Sequence, residues 1–184
     1  MRIGLIGTGR IGSFHAGVLA RHPAVASLVV ADADAARAAE VAARTGATTV
    51  ASAEEVLGSG VDAVVIASAT SAHAGLIGRA ARAGLPAFCE KPIALDLAGT
   101  LGALREVERA RSVLQLGFMR RFDAGYAAYG GGSLGRLHTV RATTSDPAPP
   151  PAAYLPLSGG LYRDCLVHDF DILRWVTGRE VTEV

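Results

Sequence analysis

The chain lacks what would send it to a membrane, a nucleic acid or an oxidising compartment. No apolar stretch in its 184 residues reaches membrane-spanning length. The start also lacks a signal peptide's cationic-then-apolar pattern, so a cytoplasmic location is expected. Lys and Arg do not cluster and the formal net charge is +1, which argues against a nucleic-acid partner. Only two cysteines occur, Cys89 and Cys165, with no CxxC and no metal-ligand spacing. They read as free thiols in a reducing compartment, and no metal site is expected. There are no internal repeats. What remains is ordinary globular composition, 50% hydrophobic and 19% charged, enough for one sizeable core or for one domain and part of another.

The most informative stretch is the first. An apolar run from Ile3 to Ile6 leads into Gly7-x-Gly9-x-x-Gly12 and then a helix to about Arg21. This is the pattern of a buried parallel strand turning into a dinucleotide-binding helix. Gly7 allows the tight turn, Gly9 lets a pyrophosphate reach the backbone, and Gly12 lets helix and strand pack closely. The N–H groups of Arg10, Ile11 and Gly12 at the helix start would then face an anion, aided by the helix dipole. Glycine pairs are common in ordinary loops, but here the context matches on both sides. A second apolar run, Leu28 to Ala31, ends in Asp32, twenty residues past Gly12, where the fingerprint places an acid for ribose hydroxyls. The plainer reading of Asp32 is a cap on the next helix.

Downstream, strands and helices alternate. Helix 33–44 stops at Gly46, strand 48–51 follows, and Ser52 to Glu55 forms a capping box. Strand 61–68 precedes helix 71–83, strand 86–90 precedes a helix capped by Asp96 and ending near Arg111, and strand 113–118 closes the series. Such alternation demands crossover connections and a parallel sheet covered on both faces. The expected fold is α/β, a doubly wound Rossmann domain over residues 1–118. Residues 119–184 then begin an α+β C-terminal domain. In it, 119–129 is predicted helical, 137–145 alternates like a half-exposed strand, and the proline-rich 147–156 is an extended loop. A helix runs from about Leu161 to Thr177, and another strand begins at 181–184. The break predicted at Gly130-Gly131-Gly132 separates the first two. Two strands cannot make a stable sheet alone, so the expectation is a truncated version of a longer protein.

Ligands of open α/β sheets bind at the carboxyl ends of the strands. The polar groups delivered there are Ser68 to His73, Glu90-Lys91-Pro92 and Met119 to Asp123. His73 reads as a hydrogen-bonded structural histidine rather than a catalytic one. On the last helix Asp164, His168, Asp171 and Trp175 share one face by their spacing, with Asp169 on another. An acid and an imidazole one turn apart suit general-base chemistry, because the carboxylate orients the ring and stabilises its protonated form. A helix cap or surface pair explains the same spacing equally well. A metal reading of Asp, His and Asp is poorer, since no ligand set surrounds them.

GTGRIG at 7–12, VVAD at 29–32, EKP at 90–92, GFMRRFD at 117–123 and GGLYRDCLVHDFD at 159–171 together resemble the Gfo/Idh/MocA oxidoreductases, and within them the inositol 2-dehydrogenase-like members. The resemblance spans the whole chain in order. It implies that Lys91 is the catalytic lysine, that Asp164 and His168 are the catalytic pair, and that Arg120 and Asp171 face the substrate. With Ser68, Glu90 and Lys91 lining the cofactor rim beside the glycine turn, the implied reaction is NAD-linked oxidation of a secondary hydroxyl on a cyclic polyol or sugar. Two departures stand out. Ala69 occupies the place of a common family proline, and the family's later strands, which wall the substrate pocket and usually carry a homo-oligomer interface, are missing. Alternatives from neighbouring classes are a glycosidase that oxidises and re-reduces its sugar with bound NAD, and a non-catalytic NAD-binding module. NADP is disfavoured, because Asp32 would face its 2′-phosphate: like charges at ~4 Å cost about 4 kcal/mol at an effective dielectric of 20. Arg37, one turn into the next helix, is discounted as a phosphate clamp.

Overall fold

Six strands form one parallel sheet whose ends fall in register, and that register builds the candidate site. The computed structural model describes residues 1–129 and 135–184; the predicted glycine break at 130–132 lies outside them. The chain divides into two compact units, Met1–Gly117 and Phe118–Val184.

In the first unit the elements run β1 (Arg2–Ile6), α1 (Arg10–Arg21), β2 (Ser27–Ala31), α2 (Ala35–Thr45), β3 (Thr48–Thr49), α3 (Ala53–Gly58), β4 (Ala63–Ile66), α4 (Thr70–Arg82), β5 (Ala87–Cys89), α5 (Leu97–Ala110) and β6 (Leu114–Leu116). The strand order is β3-β2-β1-β4-β5-β6 with every pairing parallel. This is the Rossmann arrangement expected from the alternating pattern. Alternate side chains of each strand enter different cores. Ile3, Leu5, Leu28 and Val30 pack with Ala16 and Val41 of α1 and α2. Ile6, Val29, Val64, Ile66 and Cys89 pack with Val56, Leu76, Ile77 and Ala103 from α3, α4 and α5. Burying one such large side chain fully is worth about 1.5–3 kcal/mol, so the strand runs drive the fold.

Capping follows the sequence closely. Ser52 Oγ accepts the Glu55 N–H at 3.1 Å, while Glu55 Oε2 accepts the Ala51 N–H at 3.1 Å. Asp96 accepts the Gly99 N–H at 2.7 Å. The cap of α2 is Asp34, whose side chain accepts from Ala36 and Arg37, so Asp32 is left for other work. Strand β3 is shorter than predicted: at the sheet edge Thr48 and Thr49 pair with Val29 and Val30, and a last bond from Val50 N–H to Val30 at 3.0 Å ends the ladder.

The second unit departs further from its sequence pattern. The helix predicted over 119–129 is two pieces, a 3-10 turn at Met119–Phe122 and α6 at Ala124–Tyr129. Asp123 between them is extended, and its Oδ1 accepts the Gly125 N–H at 2.9 Å and the Tyr126 N–H at 3.3 Å, starting a new helix. The strands expected at 137–145 and 181–184 are absent: both segments are irregular and largely exposed. Alternation alone does not make a strand where no neighbouring edge supplies hydrogen bonds. Ala152–Leu157, expected as extended loop, forms a 3-10 turn that tolerates Pro156. The last helix opens with a π-helical turn, Tyr162–Leu166, before α7 (Val167–Thr177).

Candidate active site

The paired strands end level. Gly7 N–H donates to Ala31 at 2.8 Å, Ala67 N–H to Ile6 at 2.8 Å, Glu90 N–H to Ile66 at 2.9 Å and Gly117 N–H to Cys89 at 2.9 Å. Gly7, Asp32, Ser68, Glu90 and Lys91 therefore leave the sheet along one rim.

Two glycines of the turn are demanded by packing. Gly7 has φ +95°, and a Cβ there would lie 2.5 Å from the Ser68 nitrogen. A Cβ on Gly12 would overlap the Gly7 carbonyl oxygen. Gly9 differs: a Cβ there would meet no protein atom within 4 Å. It caps α1 without any side-chain hydrogen bond, so the helix start faces open space with its orphan N–H groups, and Arg10 and Ile11 are exposed beside it. That cradle fits a dinucleotide's pyrophosphate.

Asp32 is pinned at the mouth of the cradle. Its Oδ2 accepts from Thr8 N–H at 2.6 Å and Thr8 Oγ1 at 3.0 Å, and its Oδ1 accepts from Asp34 N–H at 2.9 Å. Burial pushes its carboxyl up, but the bonds from Thr8 and Asp34 and the charge of Arg37 outweigh this and hold it below its ordinary range. The Arg37 guanidinium lies 3.6 Å from Asp32 and 3.4 Å from Asp34. One turn into the helix is thus close enough to matter, and Arg37 offsets part of the Asp32 charge. Thr8 was legible as the variable residue between two glycines, but nothing in the sequence marked its hydroxyl.

Further along the rim, Ser68 Oγ donates to the Ala69 carbonyl at 3.4 Å. Lys91 is half-buried and joined to Pro92 by a cis peptide bond. Glu90 Oε1 lies 2.8 Å from Nε2 of His15, a residue the sequence did not single out. His73 is fully buried, with Nδ1 2.7 Å from the Pro92 carbonyl and Nε2 3.1 Å from that of Ser68. The thiol of Cys89 is pushed up to about 12 by burial and then by the Glu90 charge, so it is an inert core group.

In the second unit Asp164 lies in the π-helical turn and His168 in the first turn of α7. Asp164 Oδ1 accepts from the Tyr154 hydroxyl at 3.0 Å. His168 is buried, its ring edge-on to Phe118 with centroids 6.4 Å apart. Arg120 donates to Asp169 Oδ1 at 2.7 Å and to Thr144 Oγ1 at 3.3 Å, and Thr144 donates to the same carboxylate oxygen at 2.6 Å. Burial raises the Asp169 carboxyl, but the bonds from Thr144 and Arg120 and the charges of Arg120 and His168 win, so it titrates low. Among the described residues its Oδ2 is buried with no hydrogen-bond partner. Asp171 is buried and takes a two-pronged ion pair from Arg121, whose guanidinium also lies over the Phe118 ring at 5.5 Å. The ion-pair partners Asp169 and Arg121 and the hydrogen-bonding Thr144 were missed: spacing had put Asp169 on a different helix face, and Thr144 sits in a segment without regular structure. No group of three or more His, Cys, Asp or Glu side chains able to hold a metal occurs among the described residues.

Residues 1–118 match the model of the oxidoreductase family with an NAD-binding Rossmann fold, and residues 126–184 match the GFO/IDH/MocA C-terminal domain. The chain belongs to the GFO/IDH/MocA oxidoreductase family. Similar members include a myo-inositol dehydrogenase of Streptomyces leeuwenhoekii, 40% identical over all of this chain and 58% of its own length. A myo-inositol 2-dehydrogenase of Thermotoga maritima is 38% identical over all of this chain and 57% of its own. Among solved family structures, a putative myo-inositol dehydrogenase from Sinorhizobium meliloti superposes with a TM-score of 0.92 at 39% identity, covering 98% of this chain and 56% of that one. A scyllo-inositol dehydrogenase from Lactobacillus casei, solved with NAD(H) and scyllo-inositol, gives 0.85 at 30% identity, covering 98% and 57%. The chain spans a little over half the length of the curated relatives it matches. Among the described residues no helix is long and apolar enough to cross a membrane.

Proposed function

We propose that the protein oxidises a secondary hydroxyl of a cyclic polyol, of the inositol type, or of a sugar, with NAD as cofactor. The observation that carries this reading is the rim of the first unit, where the glycine cradle, the pinned Asp32 carboxylate and Lys91 leave in-register strand ends together. Composition supports the role of Lys91. The chain has seventeen arginines and one lysine, and the one lysine stands on this rim. An arginine there would hold charge but could not take part in proton transfer, whereas an ammonium can.

The backbone of Gly7 to Gly12, with Arg10 and Ile11, would hold the pyrophosphate, and Asp32 would accept the ribose hydroxyls. Ser68, Glu90 and Lys91 would line the remainder of the cofactor rim. Bound NAD supplies a hydride acceptor. His168 takes the hydroxyl proton as general base, with Asp164 orienting it. Lys91 stabilises the developing alkoxide and helps order the proton transfer. Arg120 retains N–H donors beyond those given to Asp169 and Thr144, and Asp171 retains lone pairs beyond those taken by Arg121. Both are assigned to substrate hydroxyls. Asp32 favours NAD over NADP, but Arg37 beside it reduces the margin to several-fold.

The test is NADH formation by the purified protein across a panel of inositols and sugars. Turnover is expected, and His168→Ala should lower it by about 10²–10⁴ while NAD affinity holds within about twofold. NAD binding that raises the melting temperature without any turnover would instead make the protein a cofactor-binding module. Glycoside cleavage without net NADH would point to an NAD-dependent glycosidase. A family member of this kind is expected to act as a homo-oligomer.

A further inference from the structure

Two histidines flank the segment that carries Lys91, one on each side. On the amino side, His15 of α1 places Nε2 2.8 Å from Glu90 Oε1. Its ring lies edge-on to Phe88, centroids 5.4 Å apart, and to Phe14, 6.0 Å away. The Glu90 backbone is tied as well, since its N–H donates to Ile66 at 2.9 Å. Gly117 leaves room for the carboxylate, because a Cβ there would come within 2.9 Å of Glu90 Oε2. On the carboxyl side, Nδ1 of His73 lies 2.7 Å from the Pro92 carbonyl oxygen. A carbonyl can only accept and a neutral imidazole carries one N–H, so the tautomer that makes the shorter of the two contacts has Nδ1 donating to Pro92.

We propose that His15 and His73 are positioning residues that hold Glu90 and Pro92, and thereby set where Lys91 presents its ammonium. The proposal rests on the role assigned to Lys91 above. Its physical basis is the stiffness of the two anchors. Fixing the backbone on both sides of Lys91 fixes the point from which its four-carbon stem starts. His15 also ties the lysine segment to the helix of the glycine cradle, six residues past its cap at Gly9. His73 belongs to α4, so its Nδ1–H bond to Pro92 ties the segment to that helix. A histidine reaching from one element to a neighbour's carboxylate or carbonyl, twice around one residue, has no counterpart elsewhere among the described residues of the first unit.

The test uses a pair of substitutions at His15, which is only partly buried, so that folding is retained. His15→Leu keeps the apolar contacts with Phe14 and Phe88 but removes the donor. His15→Gln places an amide N–H near the position of Nε2 and restores it. Two readouts apply. In turnover, His15→Leu should lower kcat about tenfold or more with NAD dissociation constant within about twofold, and His15→Gln should recover most of the loss. In spectroscopy, the protein is reductively methylated with a ¹³C label and the Lys91 signal is identified by its loss in Lys91→Arg. That signal should shift and broaden in His15→Leu and return in His15→Gln. A Lys91 signal unmoved by His15→Leu overturns the proposal, as does a kcat unchanged by it in an active enzyme. If the wild-type protein turns over no polyol or sugar, the dehydrogenase reading fails, yet the Lys91 signal still decides whether the histidines position the lysine. His73→Asn, which keeps a donor near Nδ1, should perturb the signal less than His73→Gln, and the reverse order counts against the pairing.

Discussion

Replacing Asp32 by asparagine preserves shape and removes one charge, which isolates what that carboxylate does. The native group accepts three hydrogen bonds, two from Thr8 and one from Asp34 N–H. An asparagine carbonyl can keep both Thr8 bonds, but its amide then meets the Asp34 N–H donor to donor. The two retained bonds lose their charge assistance, and the Asp34 N–H, at an exposed position, loses its acceptor. Charged hydrogen bonds contribute about 1.5–3 kcal/mol against about 0.5–1.5 for neutral ones. Freeing Arg37, half-exposed, adds little. The expected destabilisation is about 1–3 kcal/mol, or a fall of roughly 2–12 °C in melting temperature for a chain of this size. The sign with pH follows from the depressed carboxyl. Its contribution is complete above its ordinary value of 3.8 and is lost as pH falls through the lower folded value, so the two proteins' stabilities converge in acid. The same change removes the repulsion felt by a 2′-phosphate. Even a quarter of about 4 kcal/mol should raise the NADP-to-NAD affinity ratio about fivefold, and more at low salt. Thermal unfolding across pH and fluorescence titration with both cofactors measure these effects. An unchanged melting temperature at neutral pH together with an unchanged cofactor ratio would refute the reasoning.

Gly12→Ala should abolish cofactor binding or cost more than about 1–3 kcal/mol in stability, because the new methyl would sit on the Gly7 carbonyl; calorimetry and NAD titration check this. Gly9→Ala, facing open space, should leave stability nearly unchanged and still weaken NAD, as paired melts with and without NAD would show. Asp169→Asn should raise the substrate KM through Arg120 with a smaller effect on kcat, read from steady-state kinetics; an unchanged KM would mean that Arg120 does not need that anchor. Thiol labelling at pH 8 should modify Cys165 well before Cys89, whose thiol is pushed up to about 12 and which is fully buried; mass mapping of the labelled peptides decides it.

The sequence by itself determined the first unit. Apart from the exposed edge pair Thr48–Thr49, its strands are short apolar runs bounded by glycine and capping residues, and the burial of those runs leaves one stable arrangement, a parallel sheet with helices on both faces. Gly7, Gly12 and Asp32 were legible because each obeys a local rule of sterics or charge acting within one βαβ unit. The second unit was less legible, because its local signals compete with contacts far along the chain. Alternation at 137–145 predicted a strand that found no edge to pair with, and an extended Asp123 split a predicted helix by capping its second half. Only the tertiary structure decided which charges pair. Arg120 meets Asp169 from 49 residues away and Arg121 meets Asp171 from 50 away, although helical spacing had put Asp169 off the working face. His15 meets Glu90 across 75 residues for the same reason. Hydrogen bonds between side chains depend on where the fold places two backbones, and no local pattern encodes that distance.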